Sequence, residues 1–231
     1  MNLGIKLLVA EDDPNMGMIL KTYLMQKGYT VFLAPNGQEA LNIYAHDDID
    51  ACVLDVMMPQ KDGFSVAQEI RRTDKRIPII FLTAKVMEED VLKGFEVGAD
   101  DYITKPFTME VLLARLNATI RRSFDDGKPE KNIFHMGKFV FDYGHRSLTI
   151  GTNTRTLTSR EADLLRLFTI NFNQVVERNS ALQKIWKDDS FFAARSMDVY
   201  ITRLRGYLKA DPTIQIINIH GVGFKLTQVH E

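Results

Sequence analysis

Short apolar runs alternate with amphipathic helical patterns through the first half of the chain. Five runs rich in β-formers are predicted as strands: IKLLVA (5–10), TVFLA (30–34), ACVLD (51–55), IIFLT (79–83) and DYITK (101–105). Between the first two runs, apolar residues recur at helical spacing and Gly28 follows as a stop. Thr108 is a predicted cap for the last helix, which runs to about Arg122. Strands that alternate with helices predict an α/β domain with a doubly wound, five-stranded parallel sheet.

The pattern changes in the second half. KFVFDY (138–143) and SLTI (147–150) flank a turn signal, which predicts hairpins and an antiparallel sheet. Thr158 and Glu161 have the spacing of a capping box at the start of a helix. Two further helices are predicted over about 179–186 and 196–208, and IQIINI (214–219) with FKLT (224–227) predicts a closing hairpin.

A polar segment separates these halves. Residues 124–132, FDDGKPEKN, contain both Gly and Pro, which is typical of an exposed connection. The predicted organisation is a first domain over 1–123, a linker over 124–132 and a second domain over 133–231. The length of 231 residues is sufficient for two domains with separate cores.

Composition narrows the class of protein. The chain is 45% hydrophobic and 26% charged, as in ordinary globular proteins, and it has neither a long apolar run nor a signal-peptide pattern. We therefore expect a cytoplasmic protein with no membrane partner. The single cysteine, Cys52, excludes an intramolecular disulfide and is predicted to be a small buried hydrophobe. Residues 124–231 carry 15 Lys and Arg against 12 Asp and Glu, a modest excess that supports nucleic-acid binding only weakly.

Acidic residues follow two of the predicted strands. Glu11, Asp12 and Asp13 follow the first strand, and Asp55 ends the third. Because the carboxyl ends of parallel strands share one edge of a sheet, these carboxylates are expected to meet there and to require a hard cation, Mg²⁺. Thr83 and Lys105 end the fourth and fifth strands and would add a hydroxyl and a cation, a combination that suits phosphoryl transfer onto Asp55. Taken singly, each could instead be a helix cap, a solvated charge or an ordinary strand residue.

Four motifs in this half resemble those of bacterial response-regulator receiver domains: LLVAEDDP (7–14), VLDVMMP (53–59), FLTA (81–84) and GADDYITKPF (98–107). The resemblance covers residues 4–122. It implies that Asp55 accepts a phosphoryl group from a sensor histidine kinase and that Thr83 and Lys105 bind that group, with Lys105–Pro106 in the cis form. It assigns Mg²⁺ to Glu11, Asp12, Asp55 and the backbone carbonyl of Met57. Tyr102 would be the aromatic residue that switches together with Thr83.

The same resemblance implies a homodimer through the fourth helix, fifth strand and fifth helix of the receiver. Asp101 with Arg115, and Asp100 with Arg122, match charged pairs that cross the two-fold axis in relatives. A third ionic pair of the family is replaced by Val91 and Val111. Two apolar residues could pack in place of the ions.

The third helix of the second half has one apolar side. Met197, Ile201, Leu204 and Leu208 form its stripe, and the residues predicted to lie off that stripe are Arg195, Tyr200, Thr202, Arg203 and Arg205. This outward set could enter the major groove of DNA or could be an ordinary solvated face.

TSREADLL (158–165), RSMDVYITRLR (195–205) and IHGVGFKL (219–226) resemble the winged-helix output domain of the OmpR/PhoB family. The resemblance implies an α+β winged-helix domain whose recognition helix runs from Arg195 to Leu208. Arg203 and Thr202 would lie nearest the bases, and Arg195 and Arg205 nearest phosphates. His220 replaces the arginine with which many relatives reach the minor groove. Residues 187–194 resemble the segment that contacts RNA polymerase, although Phe191 and Phe192 could equally pack against their own domain.

The combined prediction is a two-component response regulator that binds promoter DNA, and not an enzyme beyond Mg²⁺-dependent self-phosphorylation and slow self-dephosphorylation. A haloacid-dehalogenase phosphatase is the competing reading of the first half, but that class requires a second Asp where this chain has Met57. An adaptor that binds only proteins is disfavoured by the winged-helix motifs. A regulator of this family that works without phosphorylation is compatible with every motif.

Overall fold

The computed structural model describes residues 4–84, 94, 96–124, 132–186 and 191–229. The chain divides into two compact units, Met1–Phe124 and Asp125–Glu231. Most of the predicted linker, residues 125–131, lies outside the described residues. At its ends, Phe124 belongs to a helix and Asn132 is buried, with its carbonyl accepting a hydrogen bond from Tyr143 N at 2.8 Å.

The first unit is a parallel sheet covered by helices. Its described elements are β1 (Lys6–Ala10), α1 (Pro14–Gln26), β2 (Thr30–Ala34), α2 (Gly37–His46), β3 (Ala51–Asp55), α3 (Gly63–Thr73), β4 (Ile79–Thr83), β5 (Asp101–Thr104) and α4 (Met109–Phe124). The strand order is β2-β1-β3-β4-β5, which confirms the predicted doubly wound sheet. The predicted fourth helix lies between β4 and β5, where residues 85–93 and 95 are outside the described residues and Gly94, Glu96 and Val97 are helical. Helix α4 is therefore the fifth helix of the prediction.

The residues on both faces of the central strands of this sheet are buried. All five residues of β3 and all five of β4 are buried, as expected for parallel strands with helices on either side. Cys52 lies in β3 with no exposed surface, and burial raises the pKa of its thiol to about 12. The prediction that Cys52 is a small buried hydrophobe is therefore confirmed.

The second unit combines a sheet, three helices and a hairpin, as predicted. Its elements are β6 (Ile133–Met136), β7 (Phe139–Asp142), β8 (Ser147–Ile150), β9 (Asn153–Thr156), α5 (Ser159–Ile170), β10 (Val176–Glu177), α6 (Arg178–Ile185), α7 (Phe191–Leu208), β11 (Ile214–Ile219) and β12 (Gly223–Gln228). Strands β6 to β9 form an antiparallel meander, and β10, β12 and β11 form a second sheet. The short strand β10 was not predicted, because two residues carry no periodicity.

Local signals fix several helix ends, with one exception. Thr158 and Glu161 form the predicted capping box of α5, and Thr108 Oγ1 accepts from Val111 N at 3.3 Å in α4. Helix α7 begins at Phe191, five residues before the predicted start at Ser196. The Ser196 hydroxyl donates to the carbonyl of Ala193 inside the helix and does not cap it.

None of the helices in the described part of the chain combines the length and hydrophobicity that a bilayer span requires.

Candidate functional site

Three carboxylates meet at the carboxyl edge of the parallel sheet. Oxygen atoms of Glu11, Asp12 and Asp55 lie within 4.8 Å of one another. Glu11 follows β1 and Asp55 ends β3, and the parallel pairing of these strands brings both to the same edge. Glu11 and Asp55 are buried, whereas Asp12 is exposed. Buried like charges at this separation favour a hard cation, so the cluster fits Mg²⁺.

Lys105 is the counter-charge of this cluster. Its Nζ donates to both carboxylate oxygens of Glu11, at 2.9 and 2.8 Å, and to Asp55 Oδ2 at 2.6 Å. Burial by itself would lower the pKa of Lys105, but the hydrogen bonds to Asp55 and Glu11 outweigh it, so the pKa is raised. Burial also raises the pKa of Glu11, even though the hydrogen bond from Lys105 opposes that shift. The predicted convergence of Lys105 on the acidic cluster is confirmed.

Both oxygens of Asp55 are oriented by donors. Lys105 binds Oδ2, and the backbone N–H of Met57 donates to Oδ1 at 2.9 Å. This contact of the Met57 N–H was not predicted, and the role of the Met57 carbonyl as a metal ligand stays a prediction. Met57 is 53% exposed, whereas Asp55 itself is buried.

Asp13, the fourth of the carboxylates expected at this edge, caps helix α1. Its Oδ1 accepts from Asn15 N at 2.8 Å and from Met16 N at 3.2 Å, and Pro14 follows it at the first helical position. An Asp before a proline is a common helix start, so the sequence contained the signal for this cap.

Thr83 lies on β4, the strand next to that of Asp55, and Tyr102 lies on β5, one strand further away. Thr83 is fully buried at the end of β4, where it follows Leu82, the register partner of Asp55. Tyr102 in β5 is also buried, and its ring centroid lies 6.2 Å from that of Phe81 in an edge-to-face arrangement. The Lys105–Pro106 peptide bond is cis, as predicted.

One residue of the predicted dimer face is buried within its own chain. Asp100 is buried, and its Oδ2 accepts from Arg71 NH2 at 3.0 Å and from Ile79 N at 2.9 Å. Arg71 therefore holds Asp100 inward within its own chain. The pairing of Asp100 with Arg122 of a second chain stays a prediction.

Other residues of that face have different positions. Arg115 NH1 donates to Asp101 Oδ1 at 3.0 Å within the chain, and Val111 on α4 is 43% exposed. Val91 and the side chain of Arg122 lie outside the described residues. The crossing of Asp101 and Arg115 between chains stays a prediction.

The recognition helix predicted in the second unit, now α7, exposes fewer residues than expected. Arg195 and Thr202 are exposed, as predicted. Tyr200 is fully buried, with its ring centroid 6.2 Å from that of Trp186, so its assignment to the outward DNA-binding set is wrong. The predicted apolar stripe was too narrow: a helix in a globular core buries a face wide enough to include position i+3.

Two arginines of the predicted set bind protein atoms. Arg203 NH1 donates to Glu161 Oε1 at 3.3 Å, and the side chain of Arg203 is 25% exposed. Arg205 Nε donates to Ile216 O at 2.9 Å, and its NH2 donates to Asn218 Oδ1 at 2.6 Å. Both lie off the apolar stripe, as predicted, but their guanidinium groups hold α7 against α5 and β11.

A groove lies between α7 and the β11–β12 hairpin. It has a volume of about 630 Å³, and Asp198, Thr202 and Arg205 line it on the helix side. The exposed His220 and the turn at Gly221, where φ is +71°, line it on the hairpin side. The hairpin therefore occupies the place of the wing in a winged-helix domain, with His220 at its turn as predicted.

One contact in this groove was not predicted from the sequence. Arg178 donates from NH1 and NH2 to the two carboxylate oxygens of Asp198, at 2.8 and 2.7 Å, and from NH2 to Ala194 O at 2.8 Å. The pair joins the start of α6 to α7 in a bidentate geometry. Residues 178 and 198 are too far apart in sequence for a local pattern to reveal it.

The segment predicted to contact RNA polymerase, residues 187–194, is only partly described. Residues 187–190 and the side chains of Phe191 and Phe192 lie outside the described set, while Ala193 is buried in α7. The alternative that Phe191 and Phe192 pack against their own domain therefore stays a prediction.

Comparison with known proteins identifies the two units separately and together. Residues 7–117 match the family described as response regulator receiver domain, and residues 152–226 match transcriptional regulatory protein, C terminal. The transcriptional regulatory protein RprY of Bacteroides fragilis (strain YCH46) is 50% identical over 226 residues, which cover 98% of this chain and 96% of RprY. The response regulator MprA of Mycolicibacterium vanbaalenii is 36% identical over 228 residues, covering 98% of this chain and 99% of MprA.

Solved structures agree with this comparison. A Cys-to-Asp mutant of RitR matches with a TM-score of 0.73 at 28% identity, covering 98% of this chain and all of the other. DrrB of Thermotoga maritima, described as an OmpR/PhoB homologue, matches with a TM-score of 0.50 at 32% identity over 96% of this chain and 99% of DrrB. Similarity therefore extends over both units in one chain.

Proposed function

Since this chain belongs to the two-component response regulators with an OmpR/PhoB-type DNA-binding domain, we propose that Asp55 is its phosphoacceptor and that Mg²⁺ is required. The observation that carries this proposal is the convergence of Glu11, Asp12, Asp55 and Lys105 at one edge of the sheet. An oxygen of Asp55 attacks the phosphorus of a phosphohistidine on a sensor kinase, and the phosphorus–nitrogen bond to the imidazole breaks.

The residues around Asp55 have different electrostatic roles. Glu11, Asp12 and Asp55 supply oxygen ligands for Mg²⁺, with the carbonyl of Met57, and the bound metal would neutralise charge as the phosphoryl group approaches. Lys105 already contacts Asp55, so its ammonium needs little movement to meet a phosphoryl oxygen. Thr83, on the neighbouring strand end, supplies a hydroxyl to the same group and shifts together with Tyr102.

Treatment with acetyl phosphate tests the phosphoacceptor directly. We expect the intact mass to rise by one phosphoryl group only when Mg²⁺ is present, because the acidic cluster otherwise repels the anion. Asp55→Ala should abolish the gain. Asp62→Asn is the matched control, because Asp62 caps α3 nearby and lies outside the cluster. A phosphoryl mass on Asp55→Ala would place the acceptor elsewhere.

For DNA, the proposed contact surface is the exposed side of α7 together with the wing. Arg195 and Thr202 are the exposed residues of the predicted set on α7, and His220 lies at the turn of the wing across the groove. An α-helix fits the major groove of DNA, and a hairpin beside it reaches the adjacent minor groove. Arg195 is assigned to phosphate, and Thr202 to a base edge.

Two further partners complete the proposal. Phosphorylation favours a homodimer through β5, α4 and the segment between β4 and β5, with Asp101, Arg115 and Val111 on its surface. RNA polymerase contacts residues 187–194. The family resemblance supports both partners. The exposure of Val111 also supports the dimer.

A further inference from the structure

One carboxylate in the second unit joins the capping box to the recognition helix. Glu161 on α5 is buried, and its side chain is 3% exposed. Its Oε2 accepts from Thr158 N at 2.9 Å, which completes the capping box. Its Oε1 accepts from Tyr207 Oη at 2.9 Å and from Arg203 NH1 at 3.3 Å. A single side chain therefore binds the start of α5 and two positions of α7.

The partners on α7 are one turn apart and share this acceptor. Arg203 and Tyr207 have the i, i+4 spacing that places side chains on one helix face. The guanidinium carbon of Arg155, on strand β9, lies over the ring of Tyr207 at 4.3 Å from its centroid. Burial, and then the negative charge of Glu161, raise the pKa of Tyr207 to about 12, so its hydroxyl stays a donor.

Electrostatics make the Arg203 contact costly to break. A buried carboxylate is stable when a cation and hydrogen-bond donors face it, and removal of the cation leaves an uncompensated charge. Arg203 supplies that cation. Its NH1 donates to Glu161, and Arg203 is not among the residues of α7 that line the groove, which include Asp198, Thr202 and Arg205.

We propose that Arg203 is a positioning residue: it acts through Glu161 to fix how α7 is presented to DNA, and it does not itself read a base. This inference rests on the proposed DNA surface of α7. It reassigns Arg203 from the base-reading role that the family resemblance implies. Base discrimination then depends on an orientation that the Glu161 carboxylate maintains, and Glu161 becomes a determinant of sequence specificity although it is buried.

A double-mutant cycle separates positioning from base reading. The full-length protein is titrated with a duplex that the wild type selects from random sequences, and with a scrambled duplex of the same composition. Arg203→Met should lower the ratio of the two affinities, because an unpaired carboxylate disturbs the packing of α7. Adding Glu161→Gln removes that charge, while its amide can still accept from Thr158 N and donate to Tyr207 Oη.

The double variant gives the decisive result. We expect its specificity ratio to return to within about twofold of wild type, the usual error of additivity for such measurements. If Arg203 reads a base, the double variant should discriminate as poorly as Arg203→Met. Equal losses on both duplexes in Arg203→Met would also overturn the proposal, since they would make Arg203 purely structural.

Two more variants keep the test informative. Arg203→Lys retains the charge facing Glu161 but loses the fork that grips guanine, so positioning predicts retained specificity and base reading predicts its loss. This variant also serves if Arg203→Met does not fold. Arg195→Met tests the DNA surface separately: it should weaken both duplexes alike, and no change would refute the proposed surface without bearing on the Glu161–Arg203 contact.

Discussion

At the scale of single residues, the ammonium of Lys105 does two things in one place. It compensates the charges of Glu11 and Asp55, and in the proposed function it also binds a phosphoryl oxygen. Without this cation, two buried carboxylates would face each other. The residue proposed to bind the phosphoryl group is therefore also part of what stabilises the first unit.

This dual role predicts the behaviour of Lys105→Met. The variant should lower the free energy of unfolding by about 1–3 kcal/mol, a value discounted from a fully buried pair because the lysine side chain is 22% exposed. Mg²⁺ should raise its melting temperature more than that of the wild type, because the metal replaces the lost charge. Calorimetric unfolding with and without Mg²⁺ measures both effects.

The control and the pH dependence follow from the same contacts. Lys61→Met removes a partly exposed bridge to Glu69 and should change stability by about 0.5 kcal/mol or less. The pKa of folded Lys105 is raised, so its contribution is complete below its unfolded pKa and is lost only as alkaline pH rises through the folded value. A loss of the stability difference near neutral pH would contradict this account.

At the scale of elements, helix α1 takes one of the acidic residues that the sequence groups together. Asp13 accepts two backbone N–H groups at the start of α1, and Asp12, one residue earlier, faces the cluster. Two adjacent and chemically identical side chains therefore serve different structures. Helix geometry decides the difference, because the last residue before the first turn is placed to cap it.

Paired substitutions should separate these two aspartates. Asp12→Ala should greatly weaken Mg²⁺ binding in calorimetric titration and change stability little. Asp13→Ala should keep its Mg²⁺ affinity but lose about 1 kcal/mol of stability, the usual value of an N-cap. Equal losses of Mg²⁺ affinity in both variants would mean that Asp13 is also a ligand.

Helix α7 is held by polar contacts along its length. Arg178 binds Asp198 in its first half, Glu161 binds Arg203, and Arg205 binds the backbone of Ile216. These contacts come from α6, α5 and β11 in turn. The orientation of the exposed residues on α7 therefore depends on three neighbouring elements, and not on its apolar stripe alone.

At the scale of the whole molecule, the proposed phosphorylation of the first unit would have to change how the second unit binds DNA. A symmetric dimer through the first unit would bring two copies of α7 together and thereby strengthen binding to paired half-sites. The intrachain pair of Asp101 with Arg115 and the exposed Val111 lie on the elements that would form it.

Light scattering with and without an acyl-phosphate mimic should detect this dimer. The wild type should increase in molar mass on activation, whereas Arg115→Ala and Val111→Lys should shift less. Met25→Lys is the matched control, because Met25 is similarly exposed but lies on α1 and not on β5 or α4. An unchanged molar mass of the activated wild type would require another output mechanism, and an equal effect of Met25→Lys would argue against this face.

The sequence by itself determined the two folds and the acidic site. Strand and helix periodicity is a local property, so β1 to β5 and the capping box at Thr158 were predictable from neighbouring residues. The site was predictable as well, because the carboxyl ends of parallel strands share one edge and place Glu11, Asp55 and Lys105 together.

Tertiary structure decided which polar side chains are available to partners. Asp100 Oδ2 binds Arg71, and Arg203 NH1 binds Glu161, across separations of 29 and 42 residues. Tyr200 turns inward because the packed face of α7 is wider than its most regular stripe. A helical pattern gives the angle of a residue around its own axis, but not what other elements place opposite it. The partner of a charged or aromatic side chain is therefore fixed only when distant segments pack together.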